Sequence, residues 1–365
     1  MELIRIFHPI GQGAFYTERH FSEGQEFTVV YDCGSTTLTL KKLEKKIKST
    51  FLKKQNIDLL FISHFHSDHI NGIQFLKTHC KIKIVVLPLI GEETKALLKI
   101  NNFIANDDAT TQLIDNPQAF FGDSTIIISI AETEIVNGDN GINTEQQRIV
   151  TDINTSETIA SGTPLVNPLI DKWFFIPFNY KHSDRKKEFI SALTKASLNL
   201  TDIDTIEKIS ARKKEITEIY KEVEGDLNEN SMILYSGKQI DDRIKCLGNH
   251  NHFYNDYLFN RVRQSGCLFL GDVDLKQPNI ITDIKAKLVK FLPHIGILQI
   301  PHHGSIQNFN RGILDSLKIN CAIFSFGTNN TYGHPSDRVL GEVLSKEVYP
   351  YFVTEEHSSI VTQWK

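Results

Sequence analysis

Little in this chain could staple it or anchor it. Its five cysteines among 365 residues are odd in number, irregularly spaced, and include no Cys-x-x-Cys pair. That argues against a disulfide framework and against a cysteine-based structural zinc site, and the thiols read as reduced. No apolar run approaches the roughly 20 residues that span a bilayer. Met1-Glu-Leu-Ile-Arg-Ile-Phe7 lacks the apolar stretch of a secretory leader. A soluble, cytoplasmic protein with no membrane partner is expected. Basic excess is missing too: 40 Lys and Arg stand against 44 Asp and Glu, for a net charge of −4. No global field advertises nucleic-acid binding, although a local patch stays open. Internal repeats and low-complexity tracts are also absent. The 40% hydrophobic content suffices for one large α/β core. We read residues 1–365 as a single domain carrying insertions around 91–170 and 184–228.

The most informative stretch is Phe61-Ile-Ser-His-Phe-His-Ser-Asp-His69. An apolar run from Ile57 to Ile62 leads into it and reads as a buried strand. The loop leaving that strand holds His64, His66, Asp68 and His69. Imidazole nitrogen and carboxylate oxygen suit Zn²⁺, Mn²⁺ or Fe²⁺. Alternation lets His64 and His66 converge on one ion while Asp68 and His69 turn toward a second. With only 14 histidines in the chain, three in six positions is poorly explained as a surface accident.

Before this loop, Gly11-Gln-Gly-Ala14 is a turn and Phe27-Thr-Val-Val-Tyr31 a strand ending in Asp32-Cys-Gly34. Residues 38–55 place Leu38, Leu40, Leu43, Ile47 and Phe51 at helical spacing, opposite a basic face of Lys41, Lys42, Lys45, Lys46 and Lys48. After it, Asn71 to Leu76 continues as a helix, so the ligands sit near a helix N-terminus that favours anions. Ile82–Leu87, Ile126–Ile130 and Trp173–Phe178 are further strands. Residues 91–122 read as two helical segments, 131–170 as a long loop or a peripheral insertion, and 184–224 as a helical insertion serving as lid, partner contact or padding.

Four later segments end in polar residues. A loop at Asn228-Glu-Asn230-Ser precedes a strand. Cys267–Leu270 ends in Gly-Asp272, Ile295–Ile300 runs into Pro301-His302-His303-Gly-Ser305, and Cys321–Phe326 runs into Tyr332-Gly-His334-Pro. Two adjacent cations need a bridging carboxylate, and Asp272 is the candidate. His302 is assigned as the last ligand, with His303 behind it or donating a proton; the reverse assignment stays open. His334 could bind a phosphoryl oxygen or protonate the leaving group. Residues 349–364 are expected to close the chain as a hairpin.

Taken in order, Gly-Gln-Gly, Asp-Cys-Gly, His-x-His-x-Asp-His, Asn-x-Asn-Ser, Leu-Gly-Asp, Pro-His-His-Gly-Ser and Tyr-Gly-His-Pro resemble the metallo-β-lactamase domain of the competence protein ComEC and its soluble relatives. The resemblance runs from about Gly11 to Thr362 and skips 91–170 and 184–225. It implies an α/β fold, the αββα metallo-β-lactamase sandwich, holding two divalent metal ions (Zn or Mn). One ion would be held by His64, His66 and Asp272, the other by Asp68, His69, Asp272 and His302, and they would share a water whose pKa they lower. Asp68 could orient that water or accept its proton. The resemblance also implies that Asp32 braces the loop, and that the segment of Asn230 replaces a further histidine, for which His182 is the other option. Ser305 would support the ligands or meet the substrate. The expected activity is metal-dependent hydrolysis, with a phosphodiesterase or nuclease acting on nucleic acid favoured. A small phosphodiester or other ester is the alternative substrate. A non-catalytic partner-binding module is the rival from another class. An effector in bacterial conflict or phage defence, held by a regulatory protein through the insertions, is a further reading.

Overall fold

A computed structural model describes residues 2–105, 107–135, 141–181, 184–203, 205–222, 231–248, 263–315 and 317–365. The chain opens with β1 (Glu2–Phe7), β2 (Gly13–Ser22) and β3 (Gln25–Ser35), then adds β4 (Asn56–Phe61), β5 (Lys81–Pro88) and β6 (Ile126–Ile130). The first three pair antiparallel, and β3 to β6 run parallel. Among the described residues this sheet has ten strands and a second sheet has eight. Along one half of the second, out to its edge, Gly266–Phe269, Ile295–Gln299, Cys321–Ser325 and Tyr349–Val353 are parallel.

Both sheets are buried on both faces, which is why their parallel strands read as continuous apolar runs rather than alternating ones. The period of two still sorts the side chains. Leu59, Phe61, Ile84 and Val86 meet Phe175, Phe269, Ile297 and Ile323 between the sheets. Leu60 and Val85 point outward onto helices Leu40–Thr50 and Ile73–His79, through Leu43, Ile47, Ile73 and Leu76. On the far side, Leu268, Leu298 and Phe324 pack against Ile280–Lys287 and Asp337–Leu344. The layers are therefore helix, sheet, sheet, helix.

Three expectations need correction. The C-terminal segment is not a hairpin: Tyr349–Val353 ends the second sheet, whereas Val361–Trp364 crosses to pair with β1 in the first. Tyr351, Val353 and Val361 all enter the same inter-sheet core, and that shared burial, not mutual hydrogen bonding, is what their apolar pattern records. Residues 131–170 are not one long loop. Glu157–Ile159 extends the first sheet, and Arg148–Ile149 and Leu165–Val166 extend the second; strands this short carry no legible period. Residues 91–122 hold three helices, because Asn116 caps a new one at Pro117–Phe121. Leu40 is also exposed, unlike its neighbours at helical spacing. The helical parts of these two segments meet: Leu97 and Ile100 of Glu92–Ala105 share a small core with Phe189, Leu193, Ile209 and Ile216.

One polar group of residues sits inside the sandwich. Arg5 Nε donates to Glu18 Oε2 at 3.0 Å and Nη1 to the Ser265 carbonyl at 2.7 Å. His20 Nε2 lies 2.6 Å from Glu18 Oε1, and the Tyr16 hydroxyl also donates to Glu18. From the opposite sheet, Ser236 Oγ donates to Glu18 at 3.0 Å and accepts from Trp173 Nε1 at 3.0 Å. Burial alone would raise the Glu18 pKa, but Arg5 and then His20 hold it down at about 2, from an ordinary 4.5. A carboxylate depressed in the folded state contributes stability that is complete above the ordinary value and lost as pH falls through the folded one. Glu18→Gln should therefore cost about 3–5 kcal/mol at neutral pH, since it leaves the Arg5 charge buried without its partner. It should also remove the stability loss between pH 4.5 and about 2. Urea titrations of both proteins across that range check this.

Candidate metal centre

Every candidate ligand stands at the carboxyl end of a strand. The first sheet supplies Asp32 from β3 and the histidine loop from β4. Two glycines make the close packing of these segments possible. A Cβ on Gly13 would lie 2.3 Å from the Asp68 carbonyl, and one on Gly34 would lie 2.5 Å from the backbone of His69. The Gly-Gln-Gly and Asp-Cys-Gly signatures thus record a hairpin end pressed against the loop's main chain. Asp32 adopts φ 52°, a left-handed conformation that aspartate tolerates. This turns its carboxylate under the loop. Oδ1 accepts from the Ser63 amide at 2.7 Å, and Oδ2 accepts from Ser63 Oγ at 2.7 Å and His69 Nδ1 at 2.8 Å.

His64 is tied in the same way, with Nδ1 2.9 Å from Ser63 Oγ and 3.1 Å from Ser231 Oγ. In the second sheet Asp272 follows Gly266–Phe269, and its amide donates to Ser231 Oγ at 2.9 Å. His302 and His303 both take left-handed backbone, φ 46° and 56°. Two consecutive non-glycine residues there are strained and persist because their surroundings fix them: the His302 amide donates to the Gly271 carbonyl at 3.0 Å. His302 Nδ1 meets Asn308 Oδ1 at 2.8 Å, and His303 Nδ1 meets the Ser325 carbonyl at 2.7 Å.

These ties turn the Nε2 atoms of His64, His69, His302 and His303 toward two carboxylates. Asp272 Oδ1 is 3.2 Å from His69 Nε2, while its Oδ2 is 3.6 Å from His64 Nε2 and 3.9 Å from His302 Nε2. Asp68 Oδ2 is 3.0 Å from His303 Nε2 and 3.9 Å from His69 Nε2. Ligand atoms of Asp68, His69, Asp272 and His303 lie within 4.8 Å of one another, as do those of His64, His66 and Asp68. His303 rather than His302 thus joins the four-residue group.

The donor set fits divalent cations. Nε2 of His64 is buried without a hydrogen-bond partner, and His69 Nε2 and Asp272 Oδ1 have only each other at 3.2 Å, a costly arrangement unless a cation takes their lone pairs. The protonation states differ among the imidazoles. Burial, then the neighbouring His69, holds the His64 pKa well below the ordinary histidine value. Burial works against charge on His69 and His303 too, but Asp272 and Asp68 raise both. Against the same burial, His69 leads the groups that hold both carboxylates low. For Asp32 burial wins over His69 and Ser63, and its pKa rises.

A cleft of about 640 Å³ opens over the site, walled by residues that include His66, Asp68, His302, Ser305 and His334. The His334 ring lies 5.6 Å from that of His302 and 6.5 Å from that of His303. The loop Ser67–Ile70 forms a single helical turn before Ile73–His79. Asn230 and His182 lie outside the described residues. The sequence shows Ser231 within the Asn-x-Asn-Ser motif but singles out neither Ser63 nor Asn308, and all three anchor imidazoles. Ser63 could have been found, since it stands between the strand and the histidines.

Residues 21–140 match the family model described as the Metallo-beta-lactamase superfamily. That span holds the histidine loop and Asp32, and it ends before Asp272 and His303. The αββα sandwich of this chain is the metallo-β-lactamase fold. Among solved structures, the chain is similar to Zn(2+)-bound PqqB from Methylobacterium extorquens at 6% identity and a TM-score of 0.42, covering 97% of this chain and 98% of that one. It is also similar to MEM-A1, a subclass B3 metallo-beta-lactamase isolated from a soil metagenome library, at 10% identity and a TM-score of 0.29, covering 81% and 79%. No curated protein matches the chain. No helix among the described residues is long and apolar enough to cross a membrane.

Groups that orient a ligand typically contribute 10- to 100-fold to metal affinity. Asp32→Ala, which releases Ser63 and His69 together, should weaken Zn²⁺ binding by about that factor. Competition with a chromophoric chelator measures it without reference to any activity.

Proposed function

We propose that this protein is a metal-dependent phosphodiesterase using two divalent cations. The observation that carries the reading is the pair of ligand groups sharing Asp68, drawn from both sheets. Asp68, His69, Asp272 and His303 would hold one ion. His64 and His66, with Asp68 and the Asp272 oxygen that faces His64, would hold the other. Cations there acidify a water and neutralise charge growing on the ester oxygens. The rest falls to the chain's own residues. Asp68 faces both the ligand groups and the cleft, so it can orient the attacking water and take its proton. As the bond from phosphorus to the leaving oxygen breaks, His334 on the cleft wall can return a proton to that oxygen. The ordered motifs shared with the ComEC-type domains favour a phosphodiester over a lactam.

Substrate size is addressed by the cleft wall. No Lys or Arg stands among its described lining residues, and Lys41, Lys42, Lys45, Lys46 and Lys48 belong to a helix on the outer face of the first sheet. A long polyanion is normally tracked by cationic side chains. The reading favoured here is therefore a short phosphodiester rather than extended duplex.

A panel of linear DNA, RNA, dinucleotides and cyclic nucleotides, assayed with Mn²⁺ and with Zn²⁺, tests this. Metal-dependent cleavage of the short substrates is expected. Asp68→Ala and Asp272→Ala should fall to the uncatalysed background. Elemental analysis should show Asp272→Ala holding less metal than wild type. Full activity in either variant would overturn the assignment.

A further inference from the structure

From the cleft wall we infer that Tyr332 is a stacking platform for an aromatic base, so that the substrate is a phosphodiester bearing a nucleobase. This rests on the phosphodiesterase reading and deepens it. Tyr332 is 73% exposed, far more than Tyr349, the other exposed aromatic among the described residues. Isolated exposed aromatics need no explanation, but this one lines the same cleft as His66 and Asp68. Its ring stacks on His334 with centroids 5.9 Å apart and planes 19° from parallel. The rings continue inward from His334 to His302 at 5.6 Å and from His302 to His303 at 5.9 Å. They form a series leading from the cleft mouth to the ligand groups.

The turn that carries Tyr332 is tied across its base before anything binds. Asn330 Oδ1 accepts from the His334 amide at 2.9 Å, and its Nδ2 donates to the His334 carbonyl at 2.6 Å and the Gly327 carbonyl at 2.7 Å. A tied turn with its ring stacked on His334 lowers the entropy a ligand must supply to order it. With phosphorus against Asp68 and Asp272, the sugar of a nucleotide would lie along His334 and its base would reach Tyr332. The described wall carries Asp68 and Asp274 but no Lys or Arg, and stacking holds a base without needing a cationic side chain.

The test compares ApA with glycerophosphoethanolamine, which has a phosphodiester but no base, using metal-loaded wild type, Tyr332→Ala and Tyr332→Phe. Losing a stacked base typically costs about five- to a hundredfold in affinity. Tyr332→Ala should raise KM for ApA by that factor with little change in kcat, and raise KM for the base-free substrate about threefold or less. Tyr332→Phe, which keeps the ring, should restore most of the loss. Calorimetric binding of AMP against ribose 5-phosphate should show the same preference in wild type and its loss in Tyr332→Ala. Cleavage of both substrates with equal KM changes in Tyr332→Ala would overturn the platform and leave the phosphodiesterase reading standing. Cleavage of neither by wild type would overturn both.

Discussion

The site depends first on one buried carboxylate. Asp32 has no exposed surface, and a charge in that position is tolerable only if its lone pairs are filled. They are filled by the Ser63 amide, the Ser63 hydroxyl and His69 Nδ1. All three partners belong to the loop after β4, so satisfying Asp32 fixes the loop. Ser63 passes the constraint on to His64. A position that looks like a turn residue in the sequence thus sets the orientation of two imidazoles.

The same logic recurs in the other sheet with different acceptors. Asn308 holds His302 and the Ser325 carbonyl holds His303, each through Nδ1. A histidine whose Nδ1–H is committed presents Nε2 with its lone pair outward. Four imidazoles held this way face Asp68 and Asp272 from two sides. The two oxygens of Asp272 face different histidines, His69 and His64, as a bridging carboxylate requires. The carboxylates are held low and His69 and His303 high. A cation entering the site therefore competes with protons on those imidazoles, and its binding is coupled to their release.

Much of this was legible because chemistry and backbone coincide. The histidine loop spans six positions after an apolar strand, and no fold has to be known to see ligand spacing there. Asp272 could be read because it ends an apolar strand. His302 and His303 could not be told apart, since their roles differ through two left-handed φ values that no side-chain pattern encodes. The closing strands were read as strands, but apolar alternation does not name a partner, and they went to different sheets. Helices Asp184–Lys195, Ile206–Ala211 and Lys213–Glu222 were visible by their spacing. Their packing on Leu97 and Ile100 was not, because an amphipathic face specifies burial without saying against what. The anchor Asn308 is a polar residue of a kind found in any loop, and only the fold brings it to His302.

What remains is why a site so demanding in geometry is divided between two sheets. Ligands placed on one loop would share that loop's motions. Here each ligand segment leaves the end of a buried strand, and the two sheets are locked by an interior of Phe7, Tyr16, Tyr31 and Phe269, whose ring centroids lie 4.5–6.1 Å apart along its contacts. Glu18 adds a polar tie, bonded to Arg5 from its own sheet and to Ser236 from the other. A sandwich that cannot slide keeps Asp68 and Asp272 in register although they are far apart in sequence. Rigid elements hold catalytic groups more closely than loops do. The dependence also runs the other way. A cation held by His69 of one sheet and Asp272 of the other binds only when the sheets are docked, so its binding free energy adds to the stability of the sandwich itself.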